Sequence, residues 1–284
     1  MVRTFKAALC TTAALVVAAT GSAAQAQIFQ DNVIGYRYGT QFKEPGVAGG
    51  ADIEKSILSF THVSGDRWGG NFFNIDVLFS GSNDPARNGG AGAQEAYAVY
   101  RRTFSYSKLS GSRGAWGPIA DVGLQLGGDV NTKNTQFAPE KRFVVAGPYI
   151  AWAVPAGYLT TAFQVCREWN YNGIVGRADT FDTTFCFEAG WKFPFKVGPA
   201  SLSFGGFFNV VAPKGRDGFN AETKTELLTR PELMLDAGEL ATGRKGVVEI
   251  GIGYEYWLNK FGNDSATTVG ALARTPMLIG KVHF

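Results

Sequence analysis

The chain is poor in the residues that most active-site chemistry needs. It carries two histidines and three cysteines in 284 residues, and no Cys/His cluster has zinc-site spacing. No H-E-x-x-H, G-x-S-x-G or glycine-rich phosphate loop occurs, so the common hydrolase, metalloprotease and nucleotide-binding motifs are missing. No metal or cofactor is expected. Long apolar runs are also missing: beyond residue 26 nothing approaches the roughly 20 apolar residues of a spanning helix. Charge of one sign is scarce as well, with 27 basic and 24 acidic residues. That balance argues against nucleic acid or any strongly anionic partner.

What is present begins with a leader. Arg3 and Lys6 give a positive start, an apolar run follows from Ala7 to Ala19, and Ala24-Gln25-Ala26 forms an A-x-A cleavage site. Residues 1–26 therefore read as a cleaved secretory signal, which removes Cys10. The remainder, 27–284, reads as one domain.

From residue 32 the chain repeats segments of roughly 10 residues with alternating character, separated by Gly, Asn, Asp, Pro and Ser clusters. Gly246–Phe261 is the clearest. Val248, Ile250, Ile252, Tyr254, Tyr256 and Leu258 share one face, with Glu249, Gly251, Gly253 and Glu255 on the other. A 3.6-residue period would mix these two sets. Phe73, Ile75, Val77 and Phe79 oppose Asn74 and Asp76 in the same way. Phe163 and Val165 oppose Gln164, Cys166 and Glu168; Phe185 and Phe187 oppose Asp182, Cys186 and Glu188.

About twelve such strands can be placed. They fall at 32–43, 52–64, 69–80, 94–106, 116–128, 141–153, 157–169, 180–195, 200–212, 226–237, 246–259 and 275–284. In the tenth, Leu227, Leu228, Leu233 and Leu235 also suit a short helix, and Pro231 interrupts either reading; as a strand, Arg230, Glu232 and Asp236 oppose Leu233 and Leu235. The 37 glycines are dispersed through these strands, where small residues let a curved sheet pack.

Alternation alone does not separate a soluble sandwich from a membrane barrel. The leader, the aromatics near strand ends (Trp68, Trp116, Trp169, Trp191, Tyr256, Trp257) and the last segment decide for the barrel. That segment sets Leu278, Val282 and Phe284 on one face, and a C-terminal strand ending in Phe resembles the signal read by the outer-membrane barrel-assembly machinery. The fold expected is an all-β, antiparallel transmembrane barrel in the outer membrane of a Gram-negative bacterium, its apolar face toward lipid. Twelve strands imply a lumen between a filled eight-stranded barrel and an open sixteen-stranded pore.

Three patches carry a family resemblance: Ile34–Phe42 (IGYRYGTQF), Gly65–Asp84 (GDRWGGNFFNIDVLFSGSND) and Glu95–Leu109. They resemble the first four strands of the Tsx/OmpK nucleoside-specific channels, and Arg167–Gly173 (REWNYNG) resembles a strand-to-loop element of that family. The resemblance implies a monomeric twelve-stranded channel that passes nucleosides by facilitated diffusion. It carries over no solute-binding residue.

Strand parity itself nominates lumen residues: Asn74, Asp76, Gln164, Glu168, Asp182, Glu188, Glu249 and Glu255, with Arg37, Arg102 and Arg230 opposing them. These would line a solute track of weak, serial contacts, or simply brace the interior as paired buried charges. Cys166 and Cys186 fall on one lumen-facing hairpin turning near Gly173–Gly176. Direct opposition there predicts a cross-strand disulfide. The alternatives are a closed-lumen structural or adhesive barrel and, less favoured, a lipid-modifying enzyme using His62. His283 falls on the lumen side, and His62, near Ser59 and Ser64, has no G-x-S-x-G or related element around it, so the chain is expected not to be an enzyme.

Overall fold

The computed structural model describes residues 28–284 apart from 91, 113 and 114; the leader read at 1–26 lies outside the described residues. Among the described residues, fourteen strands join one antiparallel sheet. They are β1 (Phe29–Phe42), β2 (Ile53–Gly65), β3 (Gly69–Ser80), β4 (Gln94–Ser105), β5 (Ile119–Lys133), β6 (Arg142–Trp152) and β7 (Tyr158–Asn172), then β8 (Arg177–Thr180), β9 (Thr184–Val197), β10 (Ala200–Val211), β11 (Glu226–Thr229), β12 (Glu232–Asp236), β13 (Val248–Leu258) and β14 (Ala273–His283). The sheet closes on itself. β1 pairs with β14 from Val33↔His283 to Tyr38↔Leu278, and Phe284 and Asn32 exchange backbone hydrogen bonds at the seam.

The ring has twelve staves. β8 stands beside it, paired only with the end of β7, while β9 neighbours β7 along the rest. β11 and β12 are halves of one stave, parted where Pro231 offers no N–H. The register on β10 is unchanged across the gap, with Phe208↔Thr229 before it and Phe204↔Leu233 after. Gly206 permits the close approach here: at φ 148°, a Cβ would lie 2.6 Å from the Arg230 carbonyl oxygen.

Two boundaries differ most from the sequence reading. β5 runs on to Lys133, past the end expected at residue 128, because Gly127-Gly128 is not a turn. A Cβ at Gly127 would sit 2.4 Å from the Tyr100 carbonyl and 2.5 Å from Arg101 Cδ, so glycine lets a large side chain lie across the strand. β9 begins at Thr184 and not at 180; Asp182 belongs to a loop, its N–H bonded to the Lys214 carbonyl.

Loops at the two ends of the barrel are unequal. One end, shared with both termini of the described chain, has the tight connections 66–68, 153–157 and 198–199 beside two longer ones, 106–118 and 237–247. In 198–199, Gly198 at φ 57° supplies the positive φ that a two-residue hairpin needs. The other end carries 43–52, 81–93, 134–141, 173–183, 212–225 and 259–272. In membrane barrels the short turns face the periplasm and the long loops face outside.

The outer wall is apolar. Phe185 is 74% exposed and Leu278 64% exposed, and Ile34, Leu58, Phe79, Leu124, Val144, Phe163, Ile250 and Ile252 are exposed too. The ionic groups on the alternate positions are buried. A water-soluble protein would not expose so continuous an apolar surface; a barrel spanning a bilayer must.

The cysteines form a disulfide, with Cα atoms 6.0 Å apart. Its register is not the direct opposition expected. Cys166 faces Thr184 and Cys186 faces Gln164, a diagonal pair. The turn at Gly173–Gly176 joins β7 to β8, so the chain enters β9 two residues out of the simple-hairpin register.

Candidate functional site

The charged interior is the candidate site, and it is crossed by ion pairs at several levels. Near mid-height, Arg101 on β4 reaches Asp129 on β5 (Nη1–Oδ1 2.6 Å) and Glu188 on β9 (Nη2–Oε1 2.5 Å). Its Nε also donates to both Glu188 oxygens at 3.0 Å. β5, β6 and β7 lie between β4 and β9 along the sheet, so this guanidinium spans the lumen. The Tyr97 hydroxyl donates to Asp129 at 2.8 Å, which occupies the carboxylate's second oxygen. Such a forked, charge-assisted arrangement fixes both partners.

A second group lies beside the seam. Arg37 bonds Asp76 at 2.5 Å. Asn74 Nδ2 donates to Asp76 at 3.0 Å, and Thr61 donates to Asn74 at 2.7 Å. Arg230, in the gap of the split stave, bonds Glu255 at 2.7 Å and lies 5.2 Å from the centre of the Phe207 ring. Toward the short-turn end, Lys192 meets Glu249 at 3.0 Å and Lys281 meets Glu232. His283 sits between Asp31 (3.0 Å) and Glu249 (3.4 Å).

Toward the long-loop end the loops themselves enter the network. Glu44, just past β1, pairs with three lysines: Lys55 at 2.5 Å, Lys260 at 3.1 Å and Lys133 at 3.4 Å. Lys133 also meets Asp84 at 2.7 Å, and Lys260 donates to the Lys43 carbonyl at 2.9 Å. Residues from 43–52, 81–93 and 259–272 are thereby tied across the mouth to β2 and β5. Burial would push the Glu44 carboxyl up, but Lys260, Lys55 and Lys133 outweigh it and hold it well below the ordinary 4.5. On the far side, Glu168 is held by Lys214 of loop 212–225, with Lys141 at 3.9 Å.

Two apolar clusters fill space between these charges. Phe42, Ile53, Ile57, Met234, Met277 and Ile279 pack under the loop-tied mouth; Phe143, Val145, Cys166 and Cys186 pack on the opposite wall. The lumen is accordingly narrow.

Of the residues nominated from sequence, Asn74, Asp76, Gln164, Glu168, Glu188, Glu249 and Glu255 lie on the inner face. Gln164 donates to Gln125 at 2.9 Å. Arg102 does not lie there, and its assignment is corrected. On β4, Arg101 is the inward residue, so Arg102 points outward and grips Asp66 in the 66–68 turn at 2.8 Å. That bond, helped by the Trp68 and Gly69 N–H groups and opposed by burial, lowers the Asp66 carboxyl to about 2. Sequence reasoning missed Arg101 and Asp129. Nothing local to β4 chooses between Arg101 and Arg102, but recognising that β5 continues past Gly128 would have placed Asp129 opposite Val99 on the inner face. It also missed the lysines around Glu44, which no strand pattern could connect.

His62 faces outward on β2, and its Nδ1 meets Asn32 Oδ1 at 2.8 Å. The nearby Ser64 hydroxyl accepts from Asn71 at 3.4 Å.

No protein-family model matches the chain, and no curated protein matches it. Among solved structures, it is similar to the translocator domain of the autotransporter NalP from Neisseria meningitidis: 13% identity, 93% of this chain and 90% of that chain covered, TM-score 0.44. It is also similar to the NanC porin, at 10% identity, 89% and 98% coverage and a TM-score of 0.43. For OccK11 (OpdR) of Pseudomonas aeruginosa the values are 8% identity, 90% and 95% coverage and a TM-score of 0.31.

Proposed function

We propose that the chain is an outer-membrane barrel that passes small polar solutes passively through a narrow, charge-lined lumen. The observation that carries this reading is the Arg101 bridge to Glu188 across the lumen, in an interior lined by opposed arginines and carboxylates. A solute threading such a constriction exchanges its own hydrogen bonds for those of Arg101, Glu188 and Asp129. Paired charges keep each contact weak enough to release it.

Nucleosides enter the proposal through the sequence resemblance. Inner-face rings could stack on bases, although cations already lie over several: Lys141 is 4.8 Å from the Phe143 ring centre, and Lys260 is 4.2 Å from that of Trp257. A second reading, a closed structural barrel, draws on the two apolar clusters and the loop-tied mouth. The non-enzyme reading is kept as part of the proposal: among the described residues the His62 ring bonds Asn32 and no serine or cysteine.

Liposome swelling separates these readings. Proteoliposomes should swell at different rates in size-matched nucleosides, sugars and amino acids. Equal rates would reject selectivity, and no swelling in any solute would favour the closed barrel.

A further inference from the structure

Arginines on the outer wall are treated differently at the two rims. At the short-turn rim, Arg102 is neutralised within the chain by Asp66. At the long-loop rim, Arg142 and Arg167 are exposed on the outward faces of β6 and β7. Among the described residues neither has an ion-pair or hydrogen-bond partner. Glu140, two residues before Arg142, makes no bridge to it, and Glu168, beside Arg167, is turned inward to Lys214.

The two arginines are close. Register sets Arg142 opposite Trp169 and Val144 opposite Arg167, so they are diagonal neighbours on one face. The Arg167 guanidinium lies 5.4 Å from the centre of the Trp169 ring, and Val130, Val144, Val165 and Phe185 surround them, all exposed. An arginine two residues inside a lipid-facing rim is costly unless its head reaches phosphate at the interface. Trp169 is the residue type that settles at that depth. Two planar forks over an apolar skirt suit a phosphate-bearing lipid whose chains run down the wall.

We propose that Arg142, Arg167 and Trp169 form a binding site for a phosphorylated glycolipid of the outer leaflet, the lipid A class. The arginines hold its phosphate, and Val144, Val165 and Phe185 contact its acyl chains. The site rests on the outer-membrane reading above, since it needs that lipid beside the long-loop rim.

The test is native mass spectrometry of the folded barrel in detergent, with bis-phosphorylated lipid A, monophosphorylated lipid A, phosphatidylglycerol and inorganic phosphate as separate probes. Retention should follow that order. R142A/R167A should weaken bis-phosphorylated lipid A by about thirtyfold, from about fivefold per headgroup-level arginine. K245A, a change to an exposed lysine in the loop at the other rim, should leave it unchanged. R167Q alone provides the test if the double variant does not fold, folding being read from heat-modifiable migration. Phosphatidylglycerol binding as tightly, unchanged retention in the variants, or displacement by inorganic phosphate would each overturn the site. A barrel that folds and conducts yet holds no lipid A leaves the outer-membrane reading standing, whereas a chain that inserts into no bilayer removes both.

Discussion

Replacing Arg101 by alanine is expected to destabilise the barrel by about 3–5 kcal/mol, the usual cost of leaving buried charges without their partner. The size of the effect follows from its position. Arg101 satisfies Asp129 and Glu188 at once, and its Nη1 also reaches the Tyr100 carbonyl at 3.0 Å and the Gly128 carbonyl at 3.3 Å. Among the described residues no other cation bridges Asp129 or Glu188, and Tyr97 can serve only one Asp129 oxygen. R101K should fall between, because an ammonium lacks the planar fork that gives Arg101 separate nitrogens for Asp129 and Glu188. Urea titration of folding into lipid vesicles measures both. A loss under about 1 kcal/mol for R101A, the range of a surface pair, would mean that the bridge does not hold the staves together.

Glu44→Gln should release the mouth. Three lysines converge on that one carboxylate, each at least nine-tenths buried, so the neutral amide leaves Lys55 and Lys260 facing one another without the carboxylate they share, while Lys133 keeps Asp84. The same logic sets the pH dependence. A carboxyl depressed in the folded state contributes fully above its unfolded value, near 4.5. That contribution is lost as pH falls through the lower, folded value. The tie is therefore whole at neutral pH and fails only well below pH 4.5. At pH 7, E44Q should show proteolysis within 43–52 and 259–272 at least about tenfold faster, matching a local opening cost lowered by more than about 1.4 kcal/mol. The barrel band should remain heat-modifiable. Unchanged cleavage in E44Q would show that the loops are held by something other than Glu44.

The wall of the barrel was legible in the sequence because a period of two is a local signal. Ile250, Ile252 and Tyr254 declare their face within one strand, and closure then follows from twelve such strands. The split at Pro231 was legible for the same reason. The interior was less so. Arg101 and Arg102 are adjacent, so parity obliges one to face in and the other out, and nothing local says which; the register against Gly127 and Asp129 decides it. The Gly127-Gly128 pair read as a strand end, although the glycines make room for Arg101. The Cys166–Cys186 bond was found from residue type and strand assignment, but its diagonal register depends on β8, a detour with no period of its own. Glu44 and Lys260 are 216 residues apart and lie in loops, where contacts are set by the closed ring and not by neighbours in sequence.

The central claim is that the charged lumen conducts and that Arg101 sets its width. Single-channel recording of the folded protein in planar bilayers tests it most directly. Wild-type protein should give small, discrete conductance steps, and E188Q, which frees one arm of Arg101 while keeping shape, should give larger ones. A folded, inserted barrel that stays silent, or an E188Q barrel with the wild-type step, would contradict the account.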